Sequence, residues 1–430
     1  VKALLSHRFD RGGGGKFVTI YPRDDEQFRR LVPLLDAATE RFSGPAILSD
    51  TRYAPDSVVH YRYGAITGDR PVHRNEGYFE VPLVSPSGEW EDDPRNAWFS
   101  PPSWAVDPFP RPEAASAAGP IVLHGRYEVV EAIRHSNRGG VYRAIDDLSG
   151  ISVIIKEARP FIGPEDDGTD MTDRLRHEYA MLRRFRNHRG LLPRPVDFFE
   201  EGGHSFLVES MQPGTDARNW WRTRVPADVA ERDRVTGSFV AQLKELVSIV
   251  HNDGVVLRDL TPGNIMIDGD KLSLIDPEYF AVEGSPVAPA FTFGYAPLST
   301  IRTRNIAPAH GDDYNLAMCI VFLTTGVEPL ILTPSTSDDT AGQLLDDWLT
   351  LLFETNPSAT AYEVEVRRLL GRPAPRARVA EPTSEPLQLD AESLFEQPLR
   401  EAVAQLIAVD WDEVERDGVA PWRPDDSGTA

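Results

Sequence analysis

Cysteine is almost absent from the 430 residues: Cys319 stands alone. One thiol forms no intrachain disulfide and no multi-cysteine metal site. Its setting in LAMCIVFL is that of a buried structural thiol. Long apolar runs are missing too. The longest, Leu316–Leu323, is far short of the roughly 20 residues that a membrane-spanning helix needs. The N-terminus holds no long apolar stretch of the secretory-signal kind, and it begins with Val rather than Met. Basic residues are scarce beside acidic ones, 45 Lys and Arg against 67 Asp and Glu, for a formal net charge of −22. Non-specific nucleic-acid binding needs clustered Lys and Arg, so that class is excluded, although a local basic pocket for one phosphate is not. The expectation is a cytoplasmic protein with no nucleic-acid and no membrane partner.

What is present suits ordinary globular cores: 41% apolar and 9% aromatic residues. At about 150 residues per domain, the length allows two or three domains. Residues 1–85 alternate strand-like and helix-like runs. FVTIYP (17–22), AILSD (46–50) and VVHYRYG (58–64) read as strands, and Phe28, Leu31, Leu34 and Leu35 recur at helical spacing. Residues 86–120 are rich in Pro, Ser, Trp and Ala and read as a linker or a meandering cover. Three closely spaced strand-like runs follow Gly125: RYEVVEAI, GVYRAID and ISVIIKEA. A helix is expected over 172–187, a strand over 205–210, and a long amphipathic helix through Phe239, Leu243, Leu246 and Val250, closed by Gly254. The chain to about 370 is expected to be mostly helical. A second linker (371–386), a helix (391–409) and a polar tail complete it.

Three segments carry chemistry. HNDGVVLRDLTPGNIMID (251–268) places Asp259 and, five residues on, Asn264 between a helix and a strand-like run. LSLIDPE (272–278) is an apolar strand ending in Asp276, and VIIK (153–156) is a strand bearing Lys156, with Glu178 on the helix that follows. Phosphoryl transfer is mostly positioning and neutralisation of phosphate charge. Asp259 can orient an acceptor hydroxyl and take its proton, Asn264 and Asp276 can offer hard oxygens to Mg2+, and Lys156, fixed by Glu178, can hold the phosphates of ATP.

In these residues the chain resembles the protein kinases. Gly139 and Val141 stand where that family has the last Gly of its Gly-rich loop and the Val after it, and Lys156 follows Val141 by 15 residues, the family's interval. LVESMQPG (207–214) resembles the hinge between lobes, which implies adenine binding around Glu209 and Met211. Asp312 stands where the family anchors its catalytic loop. There are departures. Arg134 and Ser136 replace two glycines of the loop, Leu257 the catalytic-loop His, Thr261 a frequent Lys, and Asp-Pro-Glu the usual Asp-Phe-Gly.

KFVTIYP, ILSDTRY and YRYG, followed by a Trp/Pro-rich stretch and a kinase, resemble the class III lanthipeptide synthetases. Those enzymes fuse a phosphoSer/phosphoThr lyase, a Ser/Thr kinase and a cyclase. The resemblance implies an α+β fold, with an N-terminal α+β lyase-like domain, incomplete at its start, and then a bilobal kinase-like domain. The implied boundaries are 1–85 (lyase-like), 86–120 (linker), 121–370 (small lobe 121–212, large lobe 213–370) and 371–430 (linker, helix and tail). It further implies Lys2 as the lyase base and Lys16, Arg52 and Arg62 as phosphate-holding cations, with Arg11 a weaker candidate. The family's general-acid His lies upstream of the position of Lys2; His7 and His60 do not occupy its place, and a lyase lacking it is expected to be impaired. The implied partners are a Ser/Thr-containing peptide or protein, a lanthipeptide precursor above all, and a separate cyclase. Two other classes stay open: a stand-alone protein or small-molecule kinase with an N-terminal docking domain, and a pseudokinase scaffold.

Overall fold

Aromatic rings, rather than a long sheet, hold the N-terminal region together. The computed structural model describes residues 4–6, 14–64, 72–73, 79–80, 82–91, 93, 96, 98–109, 119–164, 168–287, 292–298, 307, 309–330 and 338–374. Helix α1 (Asp25–Thr39) starts where the Asp24 carboxylate accepts a hydrogen bond from the Gln27 N–H, and Asp25 and Glu26 complement the dipole of its first turn. Its Phe28 packs against Tyr61 and Phe109, with ring centroids 5.5 and 5.8 Å apart. The strands here are two-residue ribbons: β1 (Thr51–Arg52) with β2 (His60–Tyr61), β3 (Val72–His73) with β4 (Phe79–Glu80), and β5 (Leu83–Val84) with β6 (Trp90–Glu91). Residues 17–22 and 46–50, expected as strands, form none. Phe17, Val18, Ile20 and Tyr21 are exposed, and residues 47–50 turn into β1. A β-prone run becomes a strand only where an edge is there to pair with it. Residues drawn as linker cover this region: Phe109 joins its ring cluster, and Asp107 accepts a hydrogen bond from the Tyr61 hydroxyl at 2.7 Å.

The next six strands form one antiparallel sheet in the order β11-β12-β10-β9-β8-β7. They are β7 (Ile121–Leu123), β8 (Tyr127–Ser136), β9 (Gly139–Asp146), β10 (Ile151–Ala158), β11 (Pro195–Glu201) and β12 (His204–Ser210). Side chains alternate between faces along each strand. Val153 and Ile155 of β10, with Phe206 and Val208 of β12, face one cluster around Tyr127 and Phe199, whereas Ala158 and Leu207 face the main core. Lys156 and Glu209 share the parity of this second, inner face. Helix α2 (Met171–Arg184) packs there. Its capping box pairs the Asp170 carboxylate with the Thr172 N–H, at 2.7 Å, and the Asp173 carboxylate with the Asp170 N–H, at 3.1 Å. Leu175, Glu178 and Leu182, at i, i+3 and i+7, lie on its buried stripe.

The chain then turns helical: α3 (Ala217–Thr223), α4 (Val229–Asn252), α5 (Ala309–Thr325), α6 (Asp338–Thr355) and α7 (Glu363–Leu369). Thr236, Phe239, Val240, Leu243, Val247 and Val250 form the buried stripe of α4, which ends at left-handed Gly254. In α5 the whole run Leu316–Leu323 is buried, so this helix lies inside the core rather than on it. Among the described residues no helix is long and apolar enough to cross a membrane. Short strand β13 (Thr215–Asp216) leads into α3, and four more lie between α4 and α5: β14 (Val255–Val256), β15 (Ile265–Asp268), β16 (Lys271–Leu274) and β17 (Ala281–Val282). The helix expected over 391–409 lies outside the described residues.

Two glycines test how tightly this framework is packed. A Cβ on Gly214 would lie 2.0 Å from the Ile267 carbonyl oxygen, at φ 91°, whereas one on Gly254, at φ 69°, would meet nothing within 4 Å. Gly254→Ala is expected to cost about 1–2 kcal/mol, the left-handed strain alone. Gly214→Ala is expected to cost more, because backbone has to move. Urea denaturation of the two variants decides it, and equal losses would count against the close approach.

Candidate active site

Lys156 sits at the centre of the site because β10 is a central strand. Its Cα partners are Val141 on β9 and Leu207 on β12. Its ammonium meets three carboxylates from three elements: Glu178 of α2 at 2.5 Å, Glu209 of β12 at 3.2 Å, and Asp276 in direct hydrogen bond. Burial works against the charge on Lys156, but Asp276, Glu178 and Glu209 outweigh it, so the ammonium is held well above its ordinary range. Burial pushes Glu178 up to about 8, with Lys156 pulling down and the neighbouring carboxylates adding to the rise. Glu209 is raised by burial in the same way. One ammonium cannot neutralise three carboxylates, so the cluster carries excess negative charge that only further cations or protons can offset.

Asn264 and Asp276 meet because of a hairpin. β15 and β16 pair antiparallel from Ile265↔Leu274 to Asp268↔Lys271, and Gly269 (φ 60°) begins the two-residue turn. The ladder extends one step further, with the Ile275 N–H donating to the Asn264 carbonyl at 3.0 Å. That step brings residues 264 and 276 to one end of the hairpin. The Asn264 side-chain amide donates to the Asp259 carbonyl at 2.9 Å, which leaves its oxygen for another partner. Asp276 adopts φ 55°, ψ 60° ahead of the turn Pro277–Tyr279. The Asp259 carboxylate accepts a hydrogen bond from the Thr292 hydroxyl at 2.7 Å. Burial pushes it up to about 6; Thr292 opposes the rise, and Glu278 and Asp276 add to it.

The loop bearing Asp259 hangs from α5. Asp312, wholly buried, accepts from the backbone N–H groups of Leu257 and Arg258, each at 2.7 Å, and from His251 Nε2 at 2.8 Å. These bonds hold Arg258 in the left-handed region at φ 68°, a strain of about 1–3 kcal/mol that only an over-determined setting supports. The hydrogen bond to Asp312 raises the pKa of His251 against its burial. Leu257, in the place of the family's His, is buried in the core, and Cys319 Sγ donates to the Leu260 carbonyl at 3.6 Å.

Of the Gly-rich loop, Gly139 is the residue that geometry demands. It has φ 148°, and a Cβ there would lie 2.0 Å from the Glu157 carbonyl oxygen. At the turn before it, the Arg138 guanidinium donates to both carboxylate oxygens of Glu278, at 3.1 and 2.6 Å. Met211 is half-exposed just past β12. The residues that sequence reasoning missed are Arg138, Glu278, Thr292 and His251. Glu278 had a visible signal in Asp-Pro-Glu; the others are joined to the site by tertiary contacts alone.

In the N-terminal region, Arg52 and His60 are Cα partners across β1 and β2. Lys16 pairs with Asp50 at 2.9 Å. The His60 ring accepts from the Ile47 N–H through Nε2 at 3.2 Å and donates from Nδ1 to the Val58 carbonyl at 3.1 Å. Burial lowers its pKa, and the fields of Arg52 and Lys16 add to that effect. Thus Lys16, Arg52 and His60 share one neighbourhood. Arg62 pairs instead with buried Asp93, and Arg52 donates to the Pro55 carbonyl at 3.2 Å. Lys2, His7 and Arg11 lie outside the described residues.

The Lys156 cluster is exposed to test. Lys156→Met leaves its carboxylates without a counter-ion, a loss of about 3–5 kcal/mol for breaking a buried pair. Glu178 already binds its proton up to about 8 in the folded chain against an ordinary 4.5, so the folded state holds more protons between those values. Stability from this group is therefore complete below pH 4.5 and falls as pH rises towards 8. The Lys156→Met deficit should be largest at pH 8 and shrink towards pH 5, and urea midpoints at both values check it. A deficit that grows on acidification would overturn the charge assignment.

Comparison with known proteins agrees with this geometry. Residues 1–120 match the family described as RamC, N-terminal domain, and residues 127–362 match the protein kinase domain. The chain is 37% identical over 278 residues to a probable SapB synthase of Streptomyces coelicolor, across 62% of this chain and 30% of that protein. It is 24% identical to serine/threonine-protein kinase F of Synechocystis, across 48% of this chain and 45% of that protein. To the DNA damage-responsive serine/threonine-protein kinase RqkA of Deinococcus radiodurans it is 31% identical, across 36% and 22%. The chain thus spans less than half the length of each of these relatives. The order of a RamC-type domain and then a kinase is the one that the resemblance to class III lanthipeptide synthetases implied. With Lys156 bonded to Glu178 and Asp276, Asn264 bonded to Asp259, and the kinase match covering more than half of its residues, the chain belongs to the protein kinase family.

Proposed function

We propose that this chain uses ATP to phosphorylate Ser and Thr of a lanthipeptide precursor. The observation that carries the reading is the order of the two matched domains, a RamC N-terminal domain and then a kinase domain, in a chain whose charged cleft set is complete. Asp259, part-buried on the acceptor side, accepts the hydroxyl proton as the substrate oxygen forms its bond to the γ-phosphorus. The bond between that phosphorus and the bridging oxygen breaks, and ADP leaves. Lys156, placed by Glu178, holds the phosphates, while Val141, Glu209 and Met211 border the nucleotide. Asn264 and Asp276 fit Mg2+, because each offers a hard oxygen, and a metal that shares its shell with phosphates needs few protein ligands. Mg2+ would supply charge neutralisation there. Among the described residues no group of three His, Cys, Asp or Glu could hold a metal without such help.

Residues 1–85 are read as the module that eliminates the phosphate. A base takes the α-proton, the carbon–oxygen bond breaks, and dehydroalanine or dehydrobutyrine remains. Lys16 and Arg52, whose charges both act on His60, are read as the cations that hold the departing dianion; Arg62 and Lys2 keep the roles that the resemblance assigns them. The dehydrated peptide is the substrate of a cyclase, which we infer as a partner. ATP-dependent chemistry and a lone buried thiol suit the cytoplasm.

Co-expression with a Ser/Thr-rich precursor peptide, followed by mass spectrometry, tests both steps. Kinase activity alone adds phosphate, and kinase with lyase removes water. Asp259→Asn and Asp276→Asn are each expected to abolish the change, and modification that survives both sinks the assignment. Nucleotide binding without any turnover would favour a scaffold instead.

The pH profile gives an independent check. Transfer needs the Asp259 carboxylate, so kcat should fall as pH drops through about 6. Thr292→Val removes a donor that favours the carboxylate, and it should move this limb to higher pH. A limb that stays in place would argue that Asp259 is not the base.

A further inference from the structure

The turn between β8 and β9 differs from a glycine-rich phosphate loop in a specific way. Arg134 and Ser136 stand where two glycines are usual, and the catalytic loop has Thr261 where a Lys is frequent. The phosphate end of the cleft is therefore poor in flexible backbone N–H donors and lacks the catalytic-loop cation, although Arg134 on β8 acts on Asp276 through its charge. Lys156 alone does not make up the difference, since three carboxylates already share it.

The turn supplies a cation of its own. Its backbone is fixed: the Arg159 N–H donates to the Arg138 carbonyl at 2.9 Å, and the buried Arg159 guanidinium donates to both the carbonyl and the side-chain oxygen of Asn137, each at 3.0 Å. The Asn137 amide donates in turn to the Ser6 carbonyl at 2.9 Å. The Arg138 guanidinium itself is held by hydrogen bonds to one carboxylate, outside the turn. It reaches down to Glu278, two residues past Asp276, and grips it with two parallel N–H···O bonds. Its charge acts on Glu178 and Asp276 as well, so the guanidinium lies at the phosphate end of the cleft. Burial opposes that charge, and Glu278 is the main group holding it. A guanidinium fork fits a carboxylate and a phosphate with the same bidentate geometry.

We propose that Arg138 is a nucleotide-contacting residue: when ATP enters, its guanidinium leaves Glu278 and takes two phosphate oxygens. Glu278 is then a placeholder that keeps the guanidinium ordered until the nucleotide arrives. The exchange replaces one bidentate anion with another of higher charge, and the pinned turn needs no backbone movement to make it. The inference rests on the kinase reading of residues 127–362.

Equilibrium binding of ATP, ADP and adenosine to the full chain tests it, in the wild type and in Arg138→Ala, Arg138→Lys and Glu278→Gln. Arg138→Ala should weaken ATP about tenfold or more, as expected for a lost charge-assisted pair, and leave adenosine unchanged. Arg138→Lys should restore part of the ATP affinity, because it keeps the charge and loses the fork. Glu278→Gln should tighten ATP and leave adenosine alone, since the competing anion is gone. Equal weakening of ATP and adenosine by Arg138→Ala would assign the residue to loop structure only, and an unaltered ATP affinity would overturn the proposal outright. Weaker ATP binding in Glu278→Gln would overturn the placeholder. If Arg138→Ala does not fold, the Glu278→Gln and Arg138→Lys results still decide between these outcomes. Failure of the kinase reading shows differently, as absence of nucleotide binding in the wild type.

Discussion

The ammonium of Lys156 is shared among carboxylates from helix α2, strand β12 and the loop after β16. No two of these elements are neighbours in sequence, so the interaction can form only when the sheet, the helix and the large-lobe hairpin are already in register. Its energy is not its main contribution. Burying one cation with three anions is costly, and a core of apolar side chains would be at least as stable. What the cluster supplies is a set of buried carboxylates, Glu178 holding its proton up to about 8, that tolerates one arrangement of its members.

Around that cluster the backbone is held by hydrogen bonds to single, buried side chains. Asp312 holds the loop of Asp259 from below through two N–H groups and His251. Arg159 holds the turn at Asn137 and Arg138 from above, and also donates to the Ala46 carbonyl, in the N-terminal region. The Gly163 N–H donates to the Leu5 carbonyl at 2.7 Å close by. The N-terminal residues thus touch the kinase domain at Arg159 and at the turn between β8 and β9 that carries Asn137 and Arg138. A change in one module has a direct physical route to the other through these bonds.

Legibility differed sharply between the two regions. The kinase strands from Tyr127 to Ala158, helix α2 and helix α4 were readable because long alternating or 3.6-residue patterns carry many concordant residues. Gly254 was readable as a left-handed helix cap and Gly139 through the resemblance to the Gly-rich loop, and both adopt positive φ. Of the N-terminal strands, the run 58–64 does contain β2, whereas 17–22 and 46–50 form none, because ladders two residues long leave almost no periodic trace. Their packing relies on Phe28, Tyr53, Tyr61 and Phe109, which lie far apart in sequence and show no common spacing. Strand β11 was missed as well, since PVDFFEE opens with Pro and alternates poorly.

The sequence by itself determined the charged set. Lys156, Glu178, Asp259, Asn264 and Asp276 announce themselves by residue type, which phosphoryl transfer calls for, and by an order and interval that resemble the protein kinases. Only the tertiary structure decided how each group is held and what it faces. Glu209 turns its carboxylate to Lys156, Thr292 caps Asp259, and Arg138 closes on Glu278 across 140 residues. The physical reason is that pairing of this kind depends on distance in space and on burial. Sequence spacing encodes neither once the partners lie on different elements.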